Sequence, residues 1–308
     1  MNFSTLFARL AAWARRAWQA LRGRVAPPTP ARFEEWAFDT PFARRHYYLF
    51  APANLAPQRS PLVLMLHGCK QDPGDFATGT RMNSLAQERG WLVMYPEQIP
   101  RANAYRCWNW FRSADQQRGS GEPALLMGML QQVMQMHAVD ADRIYVAGLS
   151  AGGAMAAVLA QAYPDVFAAV GVHSGLAYGA ADNVISALTV MKHGPRELPT
   201  RLAVVPRVPL IVFHGDEDAT VHPRNGERLV AGHIAAQVLP GALEGGRSFV
   251  RTTYGDADGR VVAEHWLLHG SGHAWSGGDP QGSFTDPEGP DASREMLRFF
   301  GEHRRCSL

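Results

Sequence analysis

The feature that most restricts the fold of this chain is the passage Gly148-Leu149-Ser150-Ala151-Gly152-Gly153, set between two segments of different character. Before it, Ile144–Ala147 is a short, continuous apolar run, as in a strand covered on both faces. After it, Ala151–Ala162 reads as a buried helix. A Gly-x-Ser-x-Gly in that setting implies a tight, strained turn that lifts the serine hydroxyl above the strand ends. Glycines two residues before and after the serine remove Cβ atoms that would collide with the neighbouring strand and helix. Ala151 opens the helix. Its N–H therefore has no acceptor inside the helix and faces any negative charge that develops at Ser150.

The same alternation runs through the rest of the chain. Strands are expected at His46–Ala51, Leu62–Leu66, Leu92–Tyr95, Ile144–Ala147, Ala168–Val172, Leu210–Phe213 and Val262–Leu268. Helices are expected at Asp75–Arg89, Glu122–His137, Ala151–Ala162, Asn183–Lys192, Pro223–Gln237 and Asp291–His303. Strand–helix–strand alternation over this length predicts the α/β class, a doubly wound, mostly parallel sheet with helices on both faces. In such sheets the functional site lies beyond the carboxyl ends of the strands.

The residues that follow the other strands fit that expectation. Leu62–Leu66 leads into His67-Gly68-Cys69. A carbonyl attacked by Ser150 becomes an oxyanion that needs two converging N–H donors. Cys69, through its backbone N–H rather than its sulfur, is the candidate partner of Ala151. Leu210–Phe213 leads into His214-Gly215-Asp216-Glu217-Asp218. Asp216 and Asp218 compete to orient a histidine, and the spacing H-G-x-x-D-x-x-V favours Asp218. His214, before a glycine at a strand end, reads as structural. Val262–Leu268 leads into His269-Gly270-Ser271-Gly272-His273, where His273 is the candidate base and His269 its rival. The chain order Ser150, Asp218, His273 is the order this architecture uses for a nucleophile, an acid and a base.

Composition narrows the alternatives. Lys and Arg number 30 against 28 Asp and Glu, so the strong basic excess of a dedicated nucleic-acid binder is missing. The 308 residues are 46% hydrophobic, enough to bury a core. Three Cys are too few for a disulfide scaffold or a four-cysteine zinc site. No apolar run approaches the ~18 residues of a spanning helix. No H-E-x-x-H occurs, and Gly119-Ser120-Gly121-Glu122-Pro123-Ala124 lacks the preceding strand that dinucleotide binding needs. No cofactor and no metal are expected. Asp279, Asp286, Glu288 and Asp291 form an acidic stretch with two readings, a calcium site or a solvated loop, of which the second is preferred.

Residues 1–33 stand apart from a single catalytic domain at 34–308. They hold six Arg and no Asp, Glu or Lys. Phe3, Leu6, Phe7, Leu10, Trp13, Ala14 and Leu21 recur at helical spacing, and Pro27, Pro28 and Pro30 end the pattern. The segment reads as an amphipathic helix and a stiff linker, either packed on the main domain or in weak contact with a membrane or polymer-granule surface. Arg9, Arg15 and Arg16 interrupt the apolar stretch that a cleavable secretion signal requires.

At this point the chain resembles the α/β-hydrolase superfamily. Within it, the sequence is similar to the esterases grouped with polyhydroxybutyrate depolymerases, which include feruloyl and acetylxylan esterases. The residues that carry the resemblance are Leu66-His67-Gly68-Cys69-Lys70-Gln71, Cys107-Trp108-Asn109-Trp110-Phe111, Gly148–Gly153 and Gly272-His273-Ala274-Trp275-Ser276-Gly277-Gly278. It covers about residues 40–305 and implies Ser150 as nucleophile, His273 as base, Asp218 as orienter, and Cys69 and Ala151 as oxyanion donors.

The implied activity is hydrolysis of small or oligomeric carboxylic esters, of short-chain or 3-hydroxyacyl type. A feruloyl or acetylxylan esterase is the alternative, and a non-catalytic hydrolase-fold binding protein the remote one. The family points to secretion and the uncleavable N-terminus to the cytoplasm, so the compartment stays open. Two structural readings remain. Trp108, Trp110 and Trp275 either line an apolar substrate pocket or pack in the core. Cys69 and Cys107, in segments such a fold could place beside the site, form either a disulfide that braces the oxyanion loop or two buried thiols.

Overall fold

Strict alternation of side chains along a strand lets a sheet bury two separate apolar layers, one on each face. The chain does this. The computed structural model describes residues 30–40, 44–53, 55, 59–195 and 208–305. The expected helix in 3–22 lies outside them, and Cys306 does too.

Ten strands form one sheet: β1 (Arg32–Asp39), β2 (Arg44–Ala51), β3 (Ser60–Leu66), β4 (Leu92–Pro96), β5 (Val139–Leu149), β6 (Ala169–His173), β7 (Leu210–Gly215), β8 (Ile234–Ala242), β9 (Ser248–Gly255) and β10 (Val261–Leu268). Their order is β1-β2-β4-β3-β5-β6-β7-β10-β9-β8. The six strands from β4 to β10 run parallel, and antiparallel pairs close both edges. This is the expected α/β-hydrolase arrangement.

Among the described residues seven α-helices cover the sheet: α1 (Pro73–Thr80), α2 (Met82–Arg89), α3 (Gly121–Met136), α4 (Ala151–Ala162), α5 (Val184–His193), α6 (Arg224–Val230) and α7 (Ala292–Gly301). Leu62, Leu64, Val146, Val170 and Val212 point to a layer filled by α3, α4, α5 and α6. Their neighbours Val63, Met65, Tyr145, Ala169, Ile211 and Phe213 point to the opposite layer, filled by α1, α2 and α7.

Three expectations need correction. The helix expected over Asp75–Arg89 is two helices, because Arg81 adopts φ +53° and ends one while starting the next. The helix expected over Pro223–Gln237 stops at Val230, and the chain turns at Gly232 (φ +96°) into the exposed edge strand β8. Strands β1, β8 and β9 are not among the expected strands. β1 and β8 are the two edges, β8 is exposed along nearly its whole length, and β9, paired between β8 and β10, is only partly covered, so none carries the continuous buried run of the central strands.

Register aligns the carboxyl ends of the central strands. Leu66 pairs with Gly148, Leu149 with His173, His173 with Phe213, and Leu268 with Gly215. The segments that begin at His67, Ser150, Ser174, Asp216 and His269 therefore all emerge at one rim of the sheet. Here α4 approaches β3 very closely: a Cβ on Gly152 would lie 2.6 Å from the His67 carbonyl oxygen and closer still to that of Leu66. Both are backbone atoms, at the end of a central strand and the residue after it, and cannot move aside. Gly152→Ala is expected to cost about 3 kcal/mol or to prevent folding, by overpacking against backbone. Chemical denaturation of the purified variant measures it.

Candidate active site

Ser150 stands between the end of β5 and the first residue of α4 with φ +57° and ψ −119°. A non-glycine residue in that region is strained, and the surrounding structure must impose it. Two ties do so. The Ser150 N–H donates to the His173 carbonyl at 2.9 Å, and the Ser150 carbonyl accepts from the Ala154 N–H at 2.9 Å. Lys70, Arg106, Ser174 and Phe284 also have positive φ, and each adjoins a segment of the site.

His273 and Asp218 are held together from opposite loops. His273 Nδ1–H donates to Asp218 Oδ2 at 2.7 Å. A carboxylate can only accept, so the tautomer is fixed and Nε2 is left to accept a proton. Asp218 Oδ1 accepts the N–H groups of Thr220 (2.9 Å) and Val221 (2.8 Å). Burial works to raise the Asp218 carboxyl, but the His273 contact and the Val221 N–H outweigh it and hold the group below the usual carboxylate range. Among the described residues no hydrogen bond engages the Ser150 hydroxyl. Such contacts commonly tighten only once substrate is bound.

The rival residues pair with each other. His269 Nδ1 lies 2.7 Å from Asp216 Oδ2, and Asp216 Oδ1 accepts the Gly270 N–H at 2.7 Å, in a partly exposed position. The chain thus presents two Asp–His pairs, and the buried one contains Asp218 and His273. His214 is fully buried behind Asp218.

The Cys69 loop leaves one N–H unused. Gly68 N–H donates to Gln71 Oε1 (2.9 Å), Lys70 N–H to the Tyr105 carbonyl (2.7 Å) and Gln71 N–H to the Gly68 carbonyl (3.3 Å). The Cys69 N–H has no partner among the described residues. Ala151, the first residue of α4, likewise has an N–H with no acceptor in the helix. Two free donors thus stand at the rim from which Ser150 emerges.

A buried polar frame behind this loop is invisible in the sequence. The Gln98 N–H donates to His67 Nε2 (3.1 Å), and His67 Nδ1–H donates to the Gly68 carbonyl (2.7 Å). Burial pulls His67 down to about 4, so the ring stays neutral. Gln98 Nε2 donates to the Cys107 carbonyl (3.1 Å) and to Glu122 Oε1 (2.5 Å). Glu122 also accepts from the Asn109 N–H (2.7 Å) and Nδ2 (2.6 Å). Cys69 and Cys107 form a disulfide, so the same frame grips the loop from both sides.

His173 performs a similar task on the other flank. Its Nε2 accepts the Ser276 N–H at 3.0 Å while its carbonyl holds Ser150. The ring stacks on Trp275 and, pulled down to about 3 by burial, remains neutral. Neither Glu122 nor His173 has a local sequence signal, because their partners lie far away along the chain.

Trp108, Trp110 and Trp275 do not line an open pocket. They are 1%, 4% and 1% exposed. Trp108 Nε1 donates to the His67 carbonyl and Trp275 Nε1 to Ser293 Oγ, so these rings support the site from beneath. The acidic stretch is also committed elsewhere. Asp286 binds Arg247 and Ser271, while Asp291 caps α7 and binds Arg81. Among the described residues no group of three or more His, Cys, Asp or Glu side chains is arranged to hold a metal.

Sheet and site together define an α/β-hydrolase. More narrowly, the chain belongs to the Esterase PHB depolymerase family, whose pattern matches residues 45–247. It is 32% identical over 231 residues to poly(3-hydroxyalkanoate) depolymerase C of Paucimonas lemoignei, covering 70% of this chain and 55% of that one. It is 30% identical over 196 residues to feruloyl esterase B of Thermothelomyces thermophilus, covering 58% and 66%. The chain thus spans between half and two thirds of the length of these relatives. Among solved structures, an acetyl xylan esterase from Aspergillus awamori shares the fold with a TM-score of 0.69 at 20% identity, covering 87% of this chain and 99% of that one.

Two expectations follow. Burial pushes Glu122 up from 4.5 to about 7, outweighing its hydrogen bonds. The folded chain therefore holds the proton more tightly than the unfolded one. The stability linked to Glu122 is complete below about 4.5 and is lost as pH rises through about 7. Between pH 5 and pH 8 the Tm of wild type should fall relative to that of Glu122→Gln by about 4 °C or more, which thermal scans of both proteins measure. Second, titration of the unfolded, unreduced chain should find one free thiol, since the disulfide uses two of three cysteines.

Proposed function

We propose that this chain is a serine ester hydrolase that works through an acyl-enzyme. One observation carries the reading: a strained, unengaged Ser150 lies on the same rim as the buried Asp218–His273 pair and the two free N–H groups of Cys69 and Ala151. Ser150 Oγ attacks the ester carbonyl as His273 Nε2 takes its proton. The negative oxygen of the tetrahedral intermediate meets the Cys69 and Ala151 N–H groups. The alkoxide leaves as an alcohol with the proton from His273. Water then attacks the acyl-enzyme, its proton passes through His273 to the departing Ser150 oxygen, and a carboxylic acid is released.

For the substrate we propose short-chain and oligomeric 3-hydroxyacyl esters. The family supports that class, as does the depolymerase relative, which matches more of this chain than the feruloyl esterase does. Surface adhesion through residues 1–33 belongs to the same proposal. The compact unit starts at Ala31 and β1 at Arg32, so a truncation that tests it should end at Pro30. Removing residues 1–30 should leave kcat/KM on soluble esters within a few-fold while it reduces adsorption to polymer film.

The test of the reaction is a fluorophosphonate label with an ester panel of short acyl, aryl-acyl and 3-hydroxyacyl substrates. Labelling should depend on Ser150. Ser150→Ala and His273→Ala should each abolish nearly all turnover, and the double variant should be little worse than either, since such residues act as a unit. Asp218→Asn should lower kcat by about 10²–10⁴-fold, and Asp216→Asn should have little effect. Additive losses, or the reverse ranking of the two aspartates, would overturn the assignment. Failure to label with the three residues intact would favour a binding protein.

A further inference from the structure

Asp218 has a second histidine behind it. His214, the penultimate residue of β7, is fully buried, and its Nε2 lies 2.8 Å from the Val221 carbonyl and 3.5 Å from Asp218 Oδ2. A carbonyl accepts, so the proton of the neutral ring sits on Nε2. The same N–H therefore faces both the turn that carries the acid and the acid itself. Val221 is the far end of that turn: its N–H donates to Asp218 Oδ1 at 2.8 Å while its carbonyl accepts from His214. Oδ2, the oxygen nearest His214, is the one that receives His273 Nδ1–H at 2.7 Å.

The other ring nitrogen does nothing comparable. His214 Nδ1 is buried without a hydrogen-bond partner and packs against Gly226, where a Cβ would lie 2.8 Å from it. A buried, unpaired acceptor has a cost that a leucine or phenylalanine at this position would avoid. Packing alone therefore does not account for a histidine here, whereas a donor aimed at Val221 and Asp218 does.

We infer that His214 is a positioning residue for the proposed reaction: its Nε2–H locks the 218–221 turn so that Asp218 Oδ2 meets His273 Nδ1. The inference rests on the serine-hydrolase reading given above. The ionisable groups that face His214 are Asp218, His273, His222 and His265, with His173 across β6 and β7. Burial, the largest influence, favours the neutral ring, so its donor stays in place across the working pH range.

The discriminating experiment compares His214→Gln with His214→Asn. The glutamine amide nitrogen reaches the position of Nε2, whereas the asparagine amide nitrogen reaches only that of Nδ1. Rates are expressed per site labelled by fluorophosphonate, so loss of folded protein does not count as loss of catalysis. His214→Asn is expected to lower kcat by about 10-fold or more, with KM within about two-fold, a loss confined to the transition state. The acid limb of its kcat/KM profile should move to lower pH by about half a unit or more, because a misaligned Asp218 stabilises the protonated base less. His214→Gln should restore both to near wild type. His214→Leu should behave like the asparagine variant if it folds.

Equal rates and coincident acid limbs for the Gln and Asn variants would overturn the inference. So would a fall in Tm alone, with kcat per labelled site unchanged. Ser150→Ala separates this failure from that of the underlying reading. If it retains turnover, the proposed reaction is wrong. If it is inactive while both His214 variants are silent, only the role of His214 falls.

Discussion

The contact on which the site depends is the close approach of α4 to the carboxyl end of β3. It brings the helix N-terminus against the Leu66 and His67 carbonyls, leaving no room for a Cβ at Gly152. Gly148 is under the same constraint, because a Cβ there would lie 2.6 Å from the Leu66 carbonyl oxygen. Only this approach places the free N–H of Ala151 beside the loop that begins at His67. At the same turn Ser150 keeps its positive φ through its ties to His173 and Ala154.

Around that contact the structure uses neutral, buried histidines as brackets. His67 joins β3 to Gln98 beyond β4, His173 joins the serine turn to Ser276, and His214 joins β7 to Val221. His67 and His214 donate to carbonyls, His173 Nδ1–H donates to the Ser174 hydroxyl at 3.2 Å, and His67 and His173 also accept a backbone N–H, a combination no aliphatic side chain offers. Burial keeps all three uncharged, so they hold backbone in place without adding charge beside Asp218.

What could be read from the sequence was what is local. The serine turn is encoded within six consecutive residues, and the loops after β3, β7 and β10 announce themselves because they follow continuous apolar runs. Spacing favours Asp218 over Asp216, and position in the loop favours His273 over His269; in the structure each aspartate has its own histidine, so both sets form pairs. The frame built on Glu122 could not be read, because a glutamate in the first turn of a helix ordinarily faces water. Here it is buried by the segment 98–109 folding over it. The tryptophans were ambiguous for a related reason, since an indole near a site has the same sequence signature whether it faces a ligand or the core. Strands β1, β8 and β9 have no local signal: their side chains are partly or fully exposed, so their residues do not form the continuous buried run that marks the central strands.

The Cys69–Cys107 bond also sets a topological limit. It closes a covalent ring over a sequence separation of 38 residues, and that ring contains α1, α2 and β4. In the chain-entropy picture, a loop of this size removes about 4 kcal/mol of freedom from the unfolded ensemble. The restriction applies to any opened form in which β3 parts from the Trp108 segment, whether heat, denaturant or a protease exploits the opening. A loop at the mouth of the site, ordinarily the part of a molecule most easily prised away, here is covalently tied to the interior.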